Sequence, residues 1–460
     1  MPDTIIALAT PTGRSGIGVI RLSGASALAI TQKLVAKTLF DPEPRTAHLI
    51  QLHDPASGET IDEAIITYFK APHSFTGEDV IEISCHGSPV LLRQVIDICL
   101  VSDARMADPG EFSLRALANG RMGLAEVEAI RDLIDAQTVG SARQAIRQLR
   151  GEFSKQLRPL KDDLLNVIVV LESVLEFVED DLPELQSESV KKKLSKIVEE
   201  TRKLAATFQT GRLIREGLRV ALVGRPNVGK SSLFNALLGS DRAIVTEIAG
   251  TTRDQIHERF TIDDIPISLI DTAGLRETDD TVESIGVERS KATMADADIV
   301  VVMLDASEEI SEEDHEILDS VKELNYIVAL NKIDKVASYD VDHIAAAKNS
   351  RLGYLRSKIT TLSAKTGEGI GDLKNAIVRP FSPEDVTSSG FLVTDARHYD
   401  LLVRAGAEIE QSLEQLEQKV SEEIVLIGLH NALRYLGQIT GETTTEDMLT
   451  QIFATFCIGK

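Results

Sequence analysis

The chain has 460 residues, of which 43% are hydrophobic and 26% charged, and its formal net charge is −23; this is the balance of a soluble globular protein of two to four domains. Such acidity excludes nucleic-acid binding driven by phosphate neutralisation alone, so a nucleic-acid partner must be held locally or through a second protein. No run of about 18 uncharged apolar residues occurs, and MPDTIIALATPTGR lacks the basic lead and long apolar core of a signal peptide, which predicts a cytoplasmic protein without a membrane span.

Residues 1 to about 118 carry short β-rich runs, TIIALAT, GVIRLSG, AIITYF and VIEISCH, interrupted by helical stretches such as PVLLRQVIDICL, and predict an α+β unit. Alternation along VIEISCH puts Ile81, Ile83 and Cys85 on one face and Val80, Glu82, Ser84 and His86 on the other. Asp108-Pro109-Gly110-Glu111 predicts a helix start, with Asp108 as cap, Pro109 in the first helical position and Glu111 three residues after the cap.

From there to about residue 215 the pattern is helical. Leu160, Leu164, Ile168, Leu171, Leu175 and Val178 recur every three or four residues and predict an apolar stripe. The triplet Lys191-Lys192-Lys193 reads as a solvated helix face. Residues 216 to about 380 change character: VALVG, ISLID, IVVVMLD, YIVAL and KITTLS are short apolar strands separated by helices or loops, as in a mostly parallel sheet flanked by helices. Beyond about 390 the pattern is helical again. The economical architecture is a two-segment helical domain with an α/β domain inserted between the segments.

Gly224-Arg225-Pro226-Asn227-Val228-Gly229-Lys230-Ser231 follows the strand RVALV and opens the helix SLFNALLG. Glycines in that context let backbone NH groups approach phosphates at a helix N-terminus. Lys230 is placed to reach the β and γ phosphates, and Ser231 to bind Mg²⁺. Asp271-Thr272-Ala273-Gly274 ends the strand ISLID, where an aspartate can hold magnesium through water and a glycine NH can meet the γ-phosphate. Asn331-Lys332-Ile333-Asp334 follows YIVAL; Asp334 can accept two NH donors that guanine offers and adenine does not, and Asn331 can pair with the other edge. Ser363-Ala364-Lys365 fits a last base-contacting loop. Together these motifs predict GTP as substrate.

In their order and spacing, residues 216–380 resemble the Ras-like GTPase superfamily. That resemblance makes Thr252, within GTTRD, the switch threonine for Mg²⁺. One departure stands out: Leu275 follows DTAG where Ras-type enzymes carry a water-orienting glutamine, so hydrolysis needs another polar group and another source of positive charge. Glu283 and the charged pair Arg276 and Glu277 lie nearby in sequence.

GRPNVGKSS, GTTRD, DTAGL, NKID and SAK, with FTGED and PGEFS upstream and a terminal CIGK, closely resemble the tRNA-modification GTPase family MnmE, also called TrmE, from end to end. The resemblance implies an N-terminal α+β tetrahydrofolate-binding and dimerisation domain at 1–118, helical segments at 119–215 and 381–460, and a Ras-like P-loop G domain at 216–380. It implies a homodimer that acts with the flavoprotein MnmG, which carries FAD, in a heterotetramer. The complex adds carboxymethylaminomethyl or aminomethyl groups at carbon 5 of the wobble uridine of certain tRNAs, using 5-formyltetrahydrofolate or 5,10-methylenetetrahydrofolate.

By position, the GTP contacts implied are Asn227, Val228, Gly229, Lys230, Ser231 and Ser232; Thr246, Glu247, Ile248, Ala249, Gly250, Thr251 and Thr252; Asp271, Thr272, Ala273 and Gly274; Asn331, Lys332 and Asp334; and Ser363, Ala364 and Lys365. The family implies a K⁺ held by Asn227, Thr246, Ile248 and Thr251, and catalysis by Lys230 with Glu283 orienting the attacking water. Its folate contacts fall on Arg21, Glu82, Arg121 and Lys460, with Cys457 as a further candidate. Arg121 stands where the family has a lysine, and Gly123 where an aspartate is common. The three cysteines show no paired metal spacing, and no zinc is assigned. A competing expectation is a ribosome-assembly type of GTPase switch whose flanking domains bind only RNA or protein. It accounts for residues 216–380 but not for the acidic balance or the terminal motif.

Overall fold

The computed structural model describes residues 3–35, 40–176, 184–240, 258–271, 297–336, 359–381, 390–442, 449, 452–453, 455–456 and 459. The chain divides into two compact units, the first of residues 1–131, 148–193 and 411–460 and the second of residues 132–147 and 194–410. Among the described residues no helix is long and apolar enough to cross a membrane.

The chain opens with β1 (Thr4–Leu8), β2 (Ser15–Ser23), α1 (Ala27–Leu34), β3 (Ala47–His53), β4 (Thr60–Phe69), β5 (Val80–Gly87), α2 (Pro89–Val101) and β6 (Ala104–Met106). The strands form a six-stranded sheet in the order β3-β4-β5-β2-β1-β6. Its pairs are antiparallel except β1 with β6. One face is apolar at every second residue, through Ile20, Leu22, Ile66, Ile81, Ile83 and Cys85, and buries itself under α1 and α2 with Leu34, Leu92, Val95 and Cys99. The opposite face exposes Ile17, Leu49 and Ile65 and carries Arg21, Glu82 and Ser84. β3 and β6 were not legible as strands, since β3 is an edge strand with little burial and β6 has only three residues.

The helical stretch comprises α3 (Glu111–Ala118), α4 (Leu124–Ile134), α5 (Val139–Leu149), α6 (Glu152–Glu176), α7 (Glu184–Ala206) and α8 (Phe208–Glu216). α3 begins two residues later than the Asp108-Pro109 signal predicts, because Gly110 is left-handed, with φ 68°, and caps the helix in its place. The back-reaching half of the predicted cap survives: Asp108 N donates to Glu111 Oε2 at 2.9 Å. The apolar stripe on α6 is buried at Leu160, Leu164, Ile168 and Leu171; Val178 lies outside the described residues. Lys192 and Lys193 are exposed, and Lys191 pairs with Glu188 one turn away, as a solvated face requires.

The inserted sheet follows with β7 (Leu218–Val223), α9 (Lys230–Ser240), β8 (Glu258–Ile262), β9 (Ile265–Asp271), β10 (Ile299–Asp305), α10 (Glu312–Ser320), β11 (Tyr326–Asn331), β12 (Ile359–Thr361) and α11 (Ile370–Val378). The strand order is β12-β11-β10-β7-β9-β8, parallel throughout except for the β8–β9 hairpin. β10 and β11 are buried at every residue, the condition of strands covered on both faces. β9 and β10 flank β7 on opposite sides, so strand order reverses there, and open α/β sheets bind ligands at the carboxyl ends of strands at such a reversal. The chain closes with α12 (Ala396–Glu417) and α13 (Glu422–Thr440). α13 packs against α6, with His430 paired to Glu172 at 3.1 Å and Lys161 to Glu442.

Candidate functional site

In the second unit, the carboxyl ends of β7, β10, β11 and β12 bring the nucleotide motifs to one edge of the sheet. The loop after β7 turns at Gly224, φ +156°, where a Cβ would stand 2.6 Å from the Met303 carbonyl of β10. It turns again at Gly229, φ +102°, where a Cβ would overlap the Asn331 amide nitrogen. Side chains are excluded from both positions, and a backbone cradle remains at the N-terminus of α9. Asn227 adopts a left-handed φ of 63°, which asparagine tolerates better than most residues. Asn227, Ser231 and Ser232 are exposed, while Val228 is buried and anchors the loop to the core. This cradle, with donor NH groups at a helix start and a hydroxyl at Ser231, fits a nucleotide triphosphate and its magnesium. The Lys230 Nζ donates to the carbonyls of Gly224 at 2.6 Å and Arg225 at 2.8 Å, curling over the loop it serves.

Asn331, at the end of β11, ties two loops together. Its Nδ2 donates to the Val228 carbonyl at 2.8 Å and its Oδ1 accepts from the Ala364 NH at 2.9 Å, with the side chain buried. The asparagine expected at the base edge thus holds the phosphate loop and the Ser363-Ala364-Lys365 loop in register. Lys332 is left-handed, φ 68°, and its Nζ bridges the Asn227 carbonyl at 2.8 Å and Asp305 at 2.6 Å. Burial pushes the Asp305 carboxyl up, but Lys332 and the Ser307 hydroxyl and NH outweigh it and hold it below its ordinary value. Asp334 is exposed and accepts from the Ser363 hydroxyl at 2.6 Å, which holds its carboxyl low and aims it.

Sequence reasoning missed two supports of this site. Asp305 sits at the end of an apolar strand, where polar residues in parallel sheets face the ligand edge; that position was its signal. Arg225 bonds Asp314 at 2.8 Å, and Asp314 also closes the capping box of α10 with Ser311. Arg225 therefore fastens the phosphate loop to a helix start, which nothing in the local sequence reveals. Asp271 ends β9 in register with Leu222 of β7. Thr246, Glu247, Ile248, Ala249, Gly250, Thr251, Thr252, Thr272, Ala273, Gly274, Leu275, Arg276, Glu277 and Glu283 lie outside the described residues.

In the first unit, Arg21 and Glu82 are register partners across β2 and β5. Arg21 donates from Nε at 3.0 Å and Nη2 at 2.7 Å, both to Glu82 Oε1. The guanidinium lies 5.8 Å from the ring centroids of both Phe75 and Phe112, and its Nη1 reaches the Gly459 carbonyl at 3.4 Å. Phe75 belongs to FTGED and Phe112 to PGEFS, so both motifs converge on Arg21. They meet again at Arg115, 1% exposed, which binds Glu78 at 3.0 Å, Glu111 at 2.9 Å and Asp3 at 2.9 Å. A carboxylate and a guanidinium on a solvent-accessible face fit the donors of a pterin and the acidic tail of a folate. Arg121 is exposed, its stem against Gly77. Gly123 leaves space that the Glu126 carboxylate fills. Burial pushes the thiols of Cys85 and Cys99 up to about 12, so neither is a nucleophile. Cys457 and Lys460 lie outside the described residues. Among those described, no cluster of three potential metal ligands occurs.

Comparison with known proteins places this geometry in context. Residues 124–457 match the family model described as the MnmE helical domain, and residues 4–121 the one described as GTP-binding protein TrmE N-terminus. The tRNA modification GTPase MnmE of Koribacter versatilis is 45% identical over 463 residues, covering 100% of both chains. That of Aquifex aeolicus is 44% identical over 461 residues with the same coverage. Among solved structures, the G domain of the T. maritima FeoB iron transporter is 29% identical, covering 35% of this chain and 97% of its own at a TM-score of 0.27.

Proposed function

Because the chain belongs to the tRNA modification GTPase MnmE family, we propose that its GTP hydrolysis is stimulated by K⁺. We propose further that, together with the flavoprotein MnmG, this activity serves to add carboxymethylaminomethyl or aminomethyl groups at carbon 5 of the wobble uridine of certain tRNAs. GTP hydrolysis in tRNA modification is its enzymatic activity. In this reading the phosphates lie along Asn227 to Ser232, with Lys230 leaving the carbonyls of its own loop for the β and γ oxygens, and Ser231 and Thr252 hold Mg²⁺. Asp334, aimed by Ser363, accepts the guanine NH groups. Leu275 cannot orient water, so Glu283 takes that part. A K⁺ held by Asn227, Thr246, Ile248 and Thr251 supplies the positive charge that hydrolysis demands at the phosphates.

Residues 1–118 form the tetrahydrofolate-binding and dimerisation domain, 119–215 with 381–460 the helical domain, and 216–380 the G domain. Arg21, Glu82, Arg121 and Lys460 hold a one-carbon tetrahydrofolate, which supplies the carbon that is transferred. The protein works as a homodimer in the cytoplasm and meets tRNA through its complex with MnmG, which accords with its acidity.

The observation that carries this reading is the combination, in one chain, of a phosphate loop pinned by Asn331 and an Arg21–Glu82 pair on a separate sheet. Nucleoside analysis of tRNA from a strain lacking this protein tests it: wobble uridines lose the carbon-5 aminomethyl groups and regain them with the wild-type chain. Full modification in the deletion strain would refute it.

A further inference from the structure

Alternation along β5 places two further polar residues, Ser84 and His86, on the face that holds Glu82. His86 lies four residues beyond Glu82, roughly 14 Å along the strand at about 3.4 Å per residue. Asp62 of β4 binds it twice: the His86 backbone NH donates to Oδ2 at 2.9 Å and the imidazole Nδ1 sits 2.8 Å from Oδ1. The Asp62 side chain is 8% exposed, whereas that of His86 is 73% exposed. Burial pushes the Asp62 carboxyl up, but the His86 NH, its imidazole and the Glu63 NH outweigh it, so the group is ionised.

An ionised carboxylate has no proton to give, so the proton in this contact belongs to Nδ1. In the neutral ring Nε2 then carries a lone pair, and among the described residues no partner binds it. A buried carboxylate orienting an imidazole whose far nitrogen faces outward is the arrangement of a general base with its positioning group. The Arg21–Glu82 pair and Ser84 lie between this base and the other end of the face.

We propose that His86 is a catalytic proton acceptor and Asp62 its positioning residue, acting on the amine that joins the one-carbon unit. This rests on the folate and aminomethylation reading given above. An amine is protonated at neutral pH and attacks carbon only as the free base. An N–H bond of the ammonium breaks, its electron pair stays on nitrogen, and the proton bonds to Nε2; the imidazolium so formed faces the Asp62 carboxylate. The charged groups beside His86 are Asp62 and Glu63 of β4; β2 sets Ile17 opposite it, and Arg21 and Glu82 lie further along.

The test uses the full-length chain with its flavoprotein, tRNA, GTP, KCl, a one-carbon tetrahydrofolate and either ammonium or glycine. Expected is a loss of about 10²-fold in modification rate in His86→Asn, with a pH profile that differs from that of the wild type. Asp62→Asn, which can donate to Nδ1 and so reverse the tautomer, loses rate in the same direction. Nitrogen-15 histidine spectra of the wild type without any ligand should show His86 protonated at Nδ1, a readout independent of turnover. His86→Asn with wild-type rate and pH profile, or a wild-type Nε2–H tautomer, overturns the proposal. Calorimetry with 5-formyltetrahydrofolate separates the two readings: failure of the wild type to bind removes the folate site itself, whereas binding with an unaffected His86→Asn rate removes only the role of His86.

Discussion

The side chain of Asn331 holds the carbonyl of Val228 at 2.8 Å, joining the end of one strand to the loop that follows another. The same carboxamide receives the Ala364 NH at 2.9 Å, so one buried residue sets the spacing between the phosphate and base ends of the site. Asn331→Ala leaves two backbone groups unpaired, at about 1 to 3 kcal/mol each. Titration with a fluorescent GTP analogue should show affinity at least about tenfold weaker, and chemical denaturation a lower midpoint. Unchanged affinity would mean that the two loops keep their register without this tie.

Asp334 accepts from Ser363, leaving its other lone pairs for a base edge with two NH donors. Asp334→Asn places a donor where guanine also has one. Competition binding should therefore show GTP weakened by about tenfold or more and xanthosine triphosphate strengthened, since xanthine offers a carbonyl at that edge. A variant that keeps its preference for GTP would locate the base elsewhere.

Leu275 offers no hydrogen bond to a water, and under the proposed function Glu283 takes that part while K⁺ would bring the positive charge. GTP turnover is expected to be well above the NaCl rate in KCl at matched ionic strength. Glu283→Ala should lower turnover by about 10² or more with GTP affinity nearly unchanged. Equal rates in the two salts remove the cation from the mechanism.

Arg115 lies among Asp3, Glu78 and Glu111 with almost no solvent contact. The Asp3 carboxyl is held low chiefly by the Arg105 hydrogen bond; burial raises that of Glu111, but Arg105, the Asp108 NH and Arg115 prevail. Both are ionised more readily folded than unfolded, so the stability they contribute is complete above the unfolded carboxylate range, about pH 4, and drains away as pH falls through the folded values. Calorimetry between pH 7 and 3 should show the unfolding temperature dropping at the acid end. Arg115→Met, which strands buried carboxylates, should cost about 3 to 5 kcal/mol at neutral pH and flatten that acid dependence. A variant as stable as the wild type would contradict the account.

What the sequence discloses and what it hides follow from how local each feature is. The phosphate loop was legible because its glycines, lysine and serine fall within one continuous run, Gly224 to Ser231, between a strand and a helix, although the contacts that require those glycines, with Met303 and Asn331, are distant in sequence. The alternation in VIEISCH correctly divides β5, with Ile81, Ile83 and Cys85 buried and His86 exposed, although Val80 is buried as well. Arg225 with Asp314, Lys332 with Asp305, and Phe75 and Phe112 against Arg21 were not legible, because each pairs residues that sequence periodicity cannot relate. The start of α3 was misplaced because Asp108 and Pro109 satisfy every local rule for a cap, yet the left-handed Gly110 ends the turn and begins the helix after them.

The contact between Arg21 and Gly459 spans 438 positions of chain. Translation delivers the two partners far apart in time, with every strand of the nucleotide-binding sheet made in between. A polypeptide stopped before Gly459 therefore contains every strand of that sheet while the arginine still lacks its final neighbour.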